Sequence, residues 1–235
     1  MTKTDYYGEK SSREKRKTSL RLGLFVSFLL LLLFAIFTWS VTAYDVQSIG
    51  INGTAVGYAS VNLYFHNLFP YDEASYSFTK LLGYFCVLLA GANVFTALIN
   101  LIRSHGFSKM HKRYLITMFF YAAVVVCYIG FELAVINRRP ENFESSYPSS
   151  HTMLALCVLF SEFVLLGYGS RRYSFMIIIL RFLLVILMVC MSVFRLLSGV
   201  HWLTDIIGAV LLSLFLMCLY GTLVRYFDVK IDVKK

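Results

Sequence analysis

Residues 22–44 read LGLFVSFLLLLLFAIFTWSVTAY, 23 positions without a single charge. A bilayer-spanning helix needs ~20 mostly apolar residues, so this stretch is long enough to cross a membrane. It follows a basic segment carrying Lys10, Arg13, Lys15, Arg16, Lys17 and Arg21. A cleavable leader has the same order, but its apolar core is only about 7–15 residues. The longer run therefore reads as a retained anchor.

The rest of the chain repeats the signal. Of its 235 residues, 58% are hydrophobic and 15% charged, against roughly 45–50% and 25% in soluble domains. Mean hydropathy is +0.69. Five further apolar runs cover residues 81–102, 114–131 (extending past Glu132 to about 136), 149–168 with Glu162 inside, 173–194 with Arg181 inside, and 201–226. The expected fold is all-α, a polytopic membrane protein with six transmembrane helices and no internal repeat. Residues 1–19 form a basic N-terminal segment, 20–228 the membrane domain and 229–235 a tail. The first long loop, 45–77, carries Gly50, Gly53 and Gly57 and then an aromatic stretch, which predicts a short interfacial helix.

Charge sets the orientation. Cytoplasmic loops of membrane proteins are enriched in Lys and Arg. With six spans, 17 of the 22 basic residues fall on one side and only Lys80, Arg138, Arg139 and Arg195 on the other, with Arg181 inside the membrane. Both termini are therefore expected in the cytoplasm. Topology accounts for most of the +9 net charge, so the basicity does not point to nucleic acid. The five cysteines, Cys86, Cys127, Cys157, Cys190 and Cys218, all sit in apolar runs. No spacing among them suits a metal clip or a disulfide framework.

Three polar clusters interrupt the apolar pattern, all on the less basic side. They are Arg138-Arg139-Pro140, then Pro148-Ser149-Ser150-His151, then Arg195 with His201 and Asp205. His201 and Asp205 are four apart and share a helix face. A carboxylate on one imidazole nitrogen fixes the tautomer and frees the other to attack or accept a proton. Ser149 and Ser150 open a helix, where a serine caps and where free N–H groups also attract anions. Arginines offer planar forks suited to phosphate oxygens. Together these residues describe a phosphate pocket with a nucleophile and an acid.

The spacing resembles that of the type 2 phosphatidic acid phosphatase superfamily of membrane lipid phosphatases. That signature is Lys, six residues, Arg-Pro; then Pro-Ser-Gly-His; then Ser-Arg, five residues, His, three residues, Asp. Here the matching positions are Glu132 with Arg139-Pro140, Pro148-Ser149-Ser150-His151, and Phe194-Arg195 with His201 and Asp205. The resemblance implies that His201 is a nucleophile forming a phosphohistidine and that Asp205 orients it. His151 would protonate the leaving oxygen and then activate water. Arg139, Arg195 and the N–H groups near Ser149 and Ser150 would hold the phosphoryl oxygens. No metal or other cofactor is implied. The partners implied are the lipid bilayer and a membrane lipid phosphate entering sideways at the outer leaflet: undecaprenyl diphosphate, phosphatidic acid or phosphatidylglycerol phosphate.

Three positions depart from the signature. Ser150 replaces glycine but keeps the N–H. Phe194 replaces serine. Glu132 stands where the family places a phosphate-binding lysine, and a carboxylate facing phosphate repels it. Either Glu132 pairs with Arg138, Arg139 or Arg195, or Arg138 has taken over the lysine's task, or the protein binds its ligand without hydrolysing it. A phosphotransferase on the same scaffold is a further reading. Glu162 and Arg181 reach similar membrane depth, within about 3 Å, and are expected to form a buried ion pair.

Overall fold

A computed structural model of the chain describes residues 3–107, 109–168 and 174–228, with side chains from 13 to 227. Seven α-helices are described: α1 (Lys3–Ala43), α2 (Ala59–Leu68), α3 (Glu73–Ser104), α4 (Lys112–Ala134), α5 (Ser150–Leu165), α6 (Phe175–Leu197) and α7 (Leu203–Asp228). All but α2 are long and apolar enough to span a bilayer. The protein is an all-α, polytopic membrane protein with six spans, as its composition predicts. The short helix expected in loop 45–77 is α2. The assigned tail at 229–235, and the basic pair Arg171 and Arg172, lie outside the described residues.

The helices run up and down, so the ends of α1, α4 and α6 and the starts of α3, α5 and α7 gather at one end of the bundle. Helix α5 sits at the centre, packed on α3, α4, α6 and α7, while α1 lies along α7. The α5 residues Met153, Ala155, Leu156, Cys157, Val158 and Leu159 are buried. Helix α6 is the opposite case, exposing Phe175, Met176, Ile178 and Phe182 as a surface for lipid. All five cysteines are free.

Between spans, water cannot satisfy stray polar groups, so side chains bond across helices. Tyr121 of α4 meets Ser161 of α5 at 2.6 Å, and Thr117 of α4 meets Tyr220 of α7 at 2.9 Å. Asn93 of α3 donates to the Tyr121 hydroxyl at 2.8 Å and to the carboxylate of Glu162. That bond corrects the expected ion pair. Glu162 is held by an amide, and the Arg181 guanidinium instead lies 4.0 Å over the Phe163 ring. Equal depth along two helices says nothing about the direction in which each side chain points.

The corner between α6 and α7 sets the site. Gly199 has φ +69°, and a Cβ there would lie 2.7 Å from the Tyr71 nitrogen. Only glycine permits this backbone shape and this approach together. The close contact lets the Asp72 N–H donate to the Ser198 carbonyl at 3.2 Å. Asp72 also caps α3, accepting from the Ser75 N–H at 2.7 Å. The start of α3 is thereby tied to the turn that precedes His201.

Candidate active site

The three polar clusters converge at this end of the bundle. Arg195, in the last turn of α6, is fully buried. Its Nη2 stands 3.4 Å from His151 Nδ1 and 3.3 Å from His201 Nε2, so one guanidinium joins two histidines 50 residues apart. Its Nη1 donates to Thr79 Oγ1 at 3.2 Å, and its Cζ lies 5.5 Å above the Tyr76 ring. Its Nε is buried with no acceptor. A buried cation with an unused donor is expensive, and an anion offers what the protein does not.

Helix α7 begins at Leu203, so His201 lies just before the helix and does not share a helix face with Asp205 as its spacing predicts; the turn through Trp202 still brings the imidazole beside the carboxylate. The two are closest at 3.5 Å, His201 Nδ1 to Asp205 Oδ2. That is long for a hydrogen bond. Ser146 fills the gap. Its Oγ is 3.1 Å from His201 Nδ1 and donates to Asp205 Oδ2. With the serine proton on the carboxylate side, His201 Nδ1–H donates to Ser146 Oγ. The Nε2 lone pair then points toward Arg195. Asp205 also accepts from the Trp202 N–H at 2.9 Å and from Asn137 Nδ2 at 3.4 Å. The carboxylate is fully enclosed and fully occupied.

Burial, then the positive charge of Arg195 and Arg139, holds the His201 pKa well below its ordinary value of 6.5. The ring is therefore neutral and nucleophilic at neutral pH. The sign for stability follows. Below pH 6.5 the unfolded chain takes up a proton that the folded site refuses, so stability rises with pH there. We expect the thermal midpoint of the purified protein to fall as pH drops from 6.5 to 5, and His201→Gln to flatten that fall, as read by thermal unfolding at each pH.

Two expectations for the flanking residues change. Helix α4 stops at Ala134, and Val135 turns left-handed with φ 43°. Glu132 and Arg139 therefore do not share a helix face. Arg139 pairs with Glu144 at 2.8 Å, and among the described residues Glu132 has no cation within ion-pair distance. Arg138 does not replace the lysine either. Its guanidinium donates to the Phe143 carbonyl, and its own carbonyl accepts from Trp202 Nε1 at 2.8 Å. Ser149 occupies the N-cap position but makes no side-chain cap. Its N–H is committed to the Asp205 carbonyl at 3.0 Å. The free first-turn donors of α5 are those of Ser150, His151 and Thr152. Phe194 packs on Phe78 with centroids 5.0 Å apart, which gives the departure from serine a packing reason.

Asn137, Ser146, Thr79 and Tyr76 hold the site, and spacing arguments missed them. The first two lie in the loop between α4 and α5, joined by a Ser146 N–H to Asn137 carbonyl bond of 2.9 Å. Their one sequence signal is proximity to Arg139 and His151.

A six-span bundle whose polar residues meet at one end, around two histidines, an enclosed aspartate and a buried arginine, has the make-up of a membrane phosphatase. The chain belongs to the PAP2 superfamily, whose family model matches residues 24–228. Its fold is similar to the crystal structure of a transmembrane PAP2 type phosphatidylglycerolphosphate phosphatase from Bacillus subtilis, with a TM-score of 0.57 and 16% identity over 89% of this chain and 98% of that one. A comparison with curated proteins found no match.

Proposed function

We propose that the protein hydrolyses a phosphomonoester or diphosphate of a membrane lipid through a phosphohistidine on His201. The single observation behind this reading is the contact of Arg195 with both histidines, which gathers nucleophile, acid and anion clamp around one vacant donor. His201 Nε2 attacks phosphorus while the bond to the lipid oxygen breaks, and His151 gives that oxygen its proton. His151 then takes a proton from water, the water oxygen bonds to phosphorus, and the P–N bond breaks to release inorganic phosphate and free His201. Arg195, Arg139 and the Ser150 N–H stabilise the charge on the equatorial oxygens, the kind of preorganised electrostatics that dominates many catalytic rates. As proposed, these steps call on no metal.

The site faces the outside of the cell in this reading, because most of the basic residues lie at the other end. Both termini are then cytoplasmic. Phosphatidylglycerol phosphate is the first substrate to try, given the activity named for the similar Bacillus subtilis structure. Phosphatidic acid and undecaprenyl diphosphate follow. Phosphate release in detergent with EDTA present tests the reading. Release from any of the three supports it. Folded protein that releases none rejects it.

Glu132 favours a second reading, a protein that binds phosphorylated lipid without cleaving it. The carboxylate is half-buried and lines a narrow crevice with Ser145 and Ser150. If the protein is an enzyme, Glu132→Lys relieves repulsion of an anionic substrate. We expect kcat/KM to rise about tenfold, equivalent to about 1.4 kcal/mol. If it is a binder, the same change leaves phosphate release at zero and alters only affinity, which a lipid-binding assay reads.

A further inference from the structure

We propose a second phosphate site, for the headgroup of an anionic membrane lipid, in the groove between α1 and α7 at the end of the bundle opposite the histidines. The groove has a volume of about 270 Å³ and is lined by Lys15, Arg16 and Arg225, with the hydroxyl groups of Ser19, Thr222 and Tyr226 between them. No lining residue is acidic. None of the three cations has a carboxylate partner among the described residues. Three unpaired cations facing one cleft, with hydroxyl donors at its walls, match the oxygens of a phosphodiester and repel an ammonium.

The helix crossing makes the groove. A Cβ on Gly23 would overlap the Thr222 side chain, lying 3.0 Å from its Cβ. Cys218 Sγ stands 3.8 Å from the Gly23 carbonyl. At that point α1 and α7 touch. Toward the helix ends, the groove lies between residues 15–20 of α1 and 222–226 of α7. Its depth fits a lipid. Leu20 lines it beside the start of the apolar run at residue 22, and the spanning part of α7 ends at Phe227. A headgroup phosphate at this level keeps its acyl chains in the bilayer. A volume this size holds a headgroup, not a drug-sized molecule. Basic pockets between transmembrane helices are a known way for proteins to hold anionic headgroups.

The proposal stands on the membrane fold and the groove, independently of the reaction. It is tested on the full chain in detergent micelles doped with phosphatidylglycerol or with phosphatidylcholine. Native mass spectrometry reads retained lipid and thermal unfolding reads stabilisation. The wild-type protein is expected to retain phosphatidylglycerol and to gain about 3 °C or more in midpoint. The variant Lys15→Gln/Arg16→Gln/Arg225→Gln should lose both effects. So should the milder Arg225→Glu, which changes one exposed side chain. A control that removes the same charge nearby, Arg103→Gln/Lys109→Gln/Lys112→Gln, should keep both. Equal retention of phosphatidylcholine overturns the proposal. So does an unchanged response in the groove variants, an equal loss in the control, or equal stabilisation by soluble glycerol phosphate.

Discussion

Replacing His201 with alanine is expected to abolish phosphate release from lipid phosphates and to leave the protein folded. The expected loss is about 10⁴-fold or more, because the step has no other nucleophile positioned to take over. His201 Nε2 is the imidazole nitrogen turned toward Arg195, and its Nδ1 is taken by Ser146, with Asp205 behind it. The intermediate gives a second readout. Wild-type protein quenched in alkali during turnover should carry phosphate on histidine, stable in alkali and lost in acid. His201→Ala should carry none. His151→Asn should separate the two half-reactions. A diphosphate has a good leaving group and needs little help from an acid, so the variant should still form the phosphohistidine. It should then fail to release it, because no base activates water. Phosphorylated protein from His201→Ala would place the nucleophile elsewhere.

The spans were legible because each is an unbroken apolar run, and the bilayer admits few alternatives. Their ends were less so. Helix α3 starts at Glu73, eight positions before its apolar run, because the Asp72 cap and the tie to Ser198 extend it. Helix α1 reaches back to Lys3 through Lys, Arg and Glu, residues that favour helix without a hydrophobic signal. At the site, His201 and Asp205 meet although His201 lies outside α7, because the Trp202 N–H bond to Asp205 folds the chain back at the helix start. The relation between Glu132 and Arg139 failed because α4 ends between them. Asn137 and Ser146 were invisible for the same reason. Their roles depend on how a loop closes, and no periodicity encodes that.

Ser146 carries the sharpest test of how the site works. If His201 met Asp205 directly, removing the serine hydroxyl would cost little. The direct separation is 3.5 Å, while Ser146 Oγ lies 3.1 Å from the imidazole and bonds the carboxylate. Ser146→Ala therefore breaks the link on both sides. Nδ1–H loses the hydroxyl as acceptor and keeps only the Ser146 backbone carbonyl, and Asp205 Oδ2 keeps only the Trp202 N–H and a distant imidazole. Groups that orient a reacting residue typically account for about 10–100-fold of activity. We expect that loss in kcat, with KM nearly unchanged, since Ser146 is buried behind the imidazole and does not face the pocket. Asp205→Asn should cost more, about 10⁴-fold, because an amide in the carboxylate's place favours the wrong tautomer. Ser146→Thr keeps the hydroxyl and should recover most of the rate, whereas a purely packing role would make the bulkier threonine worse than alanine. The histidine ¹⁵N shifts separate the cases independently. Ser146→Ala should mix the two tautomers of His201, and Ser146→Thr should restore the Nδ1–H form. An unchanged tautomer in Ser146→Ala would return the orienting role to Asp205 alone.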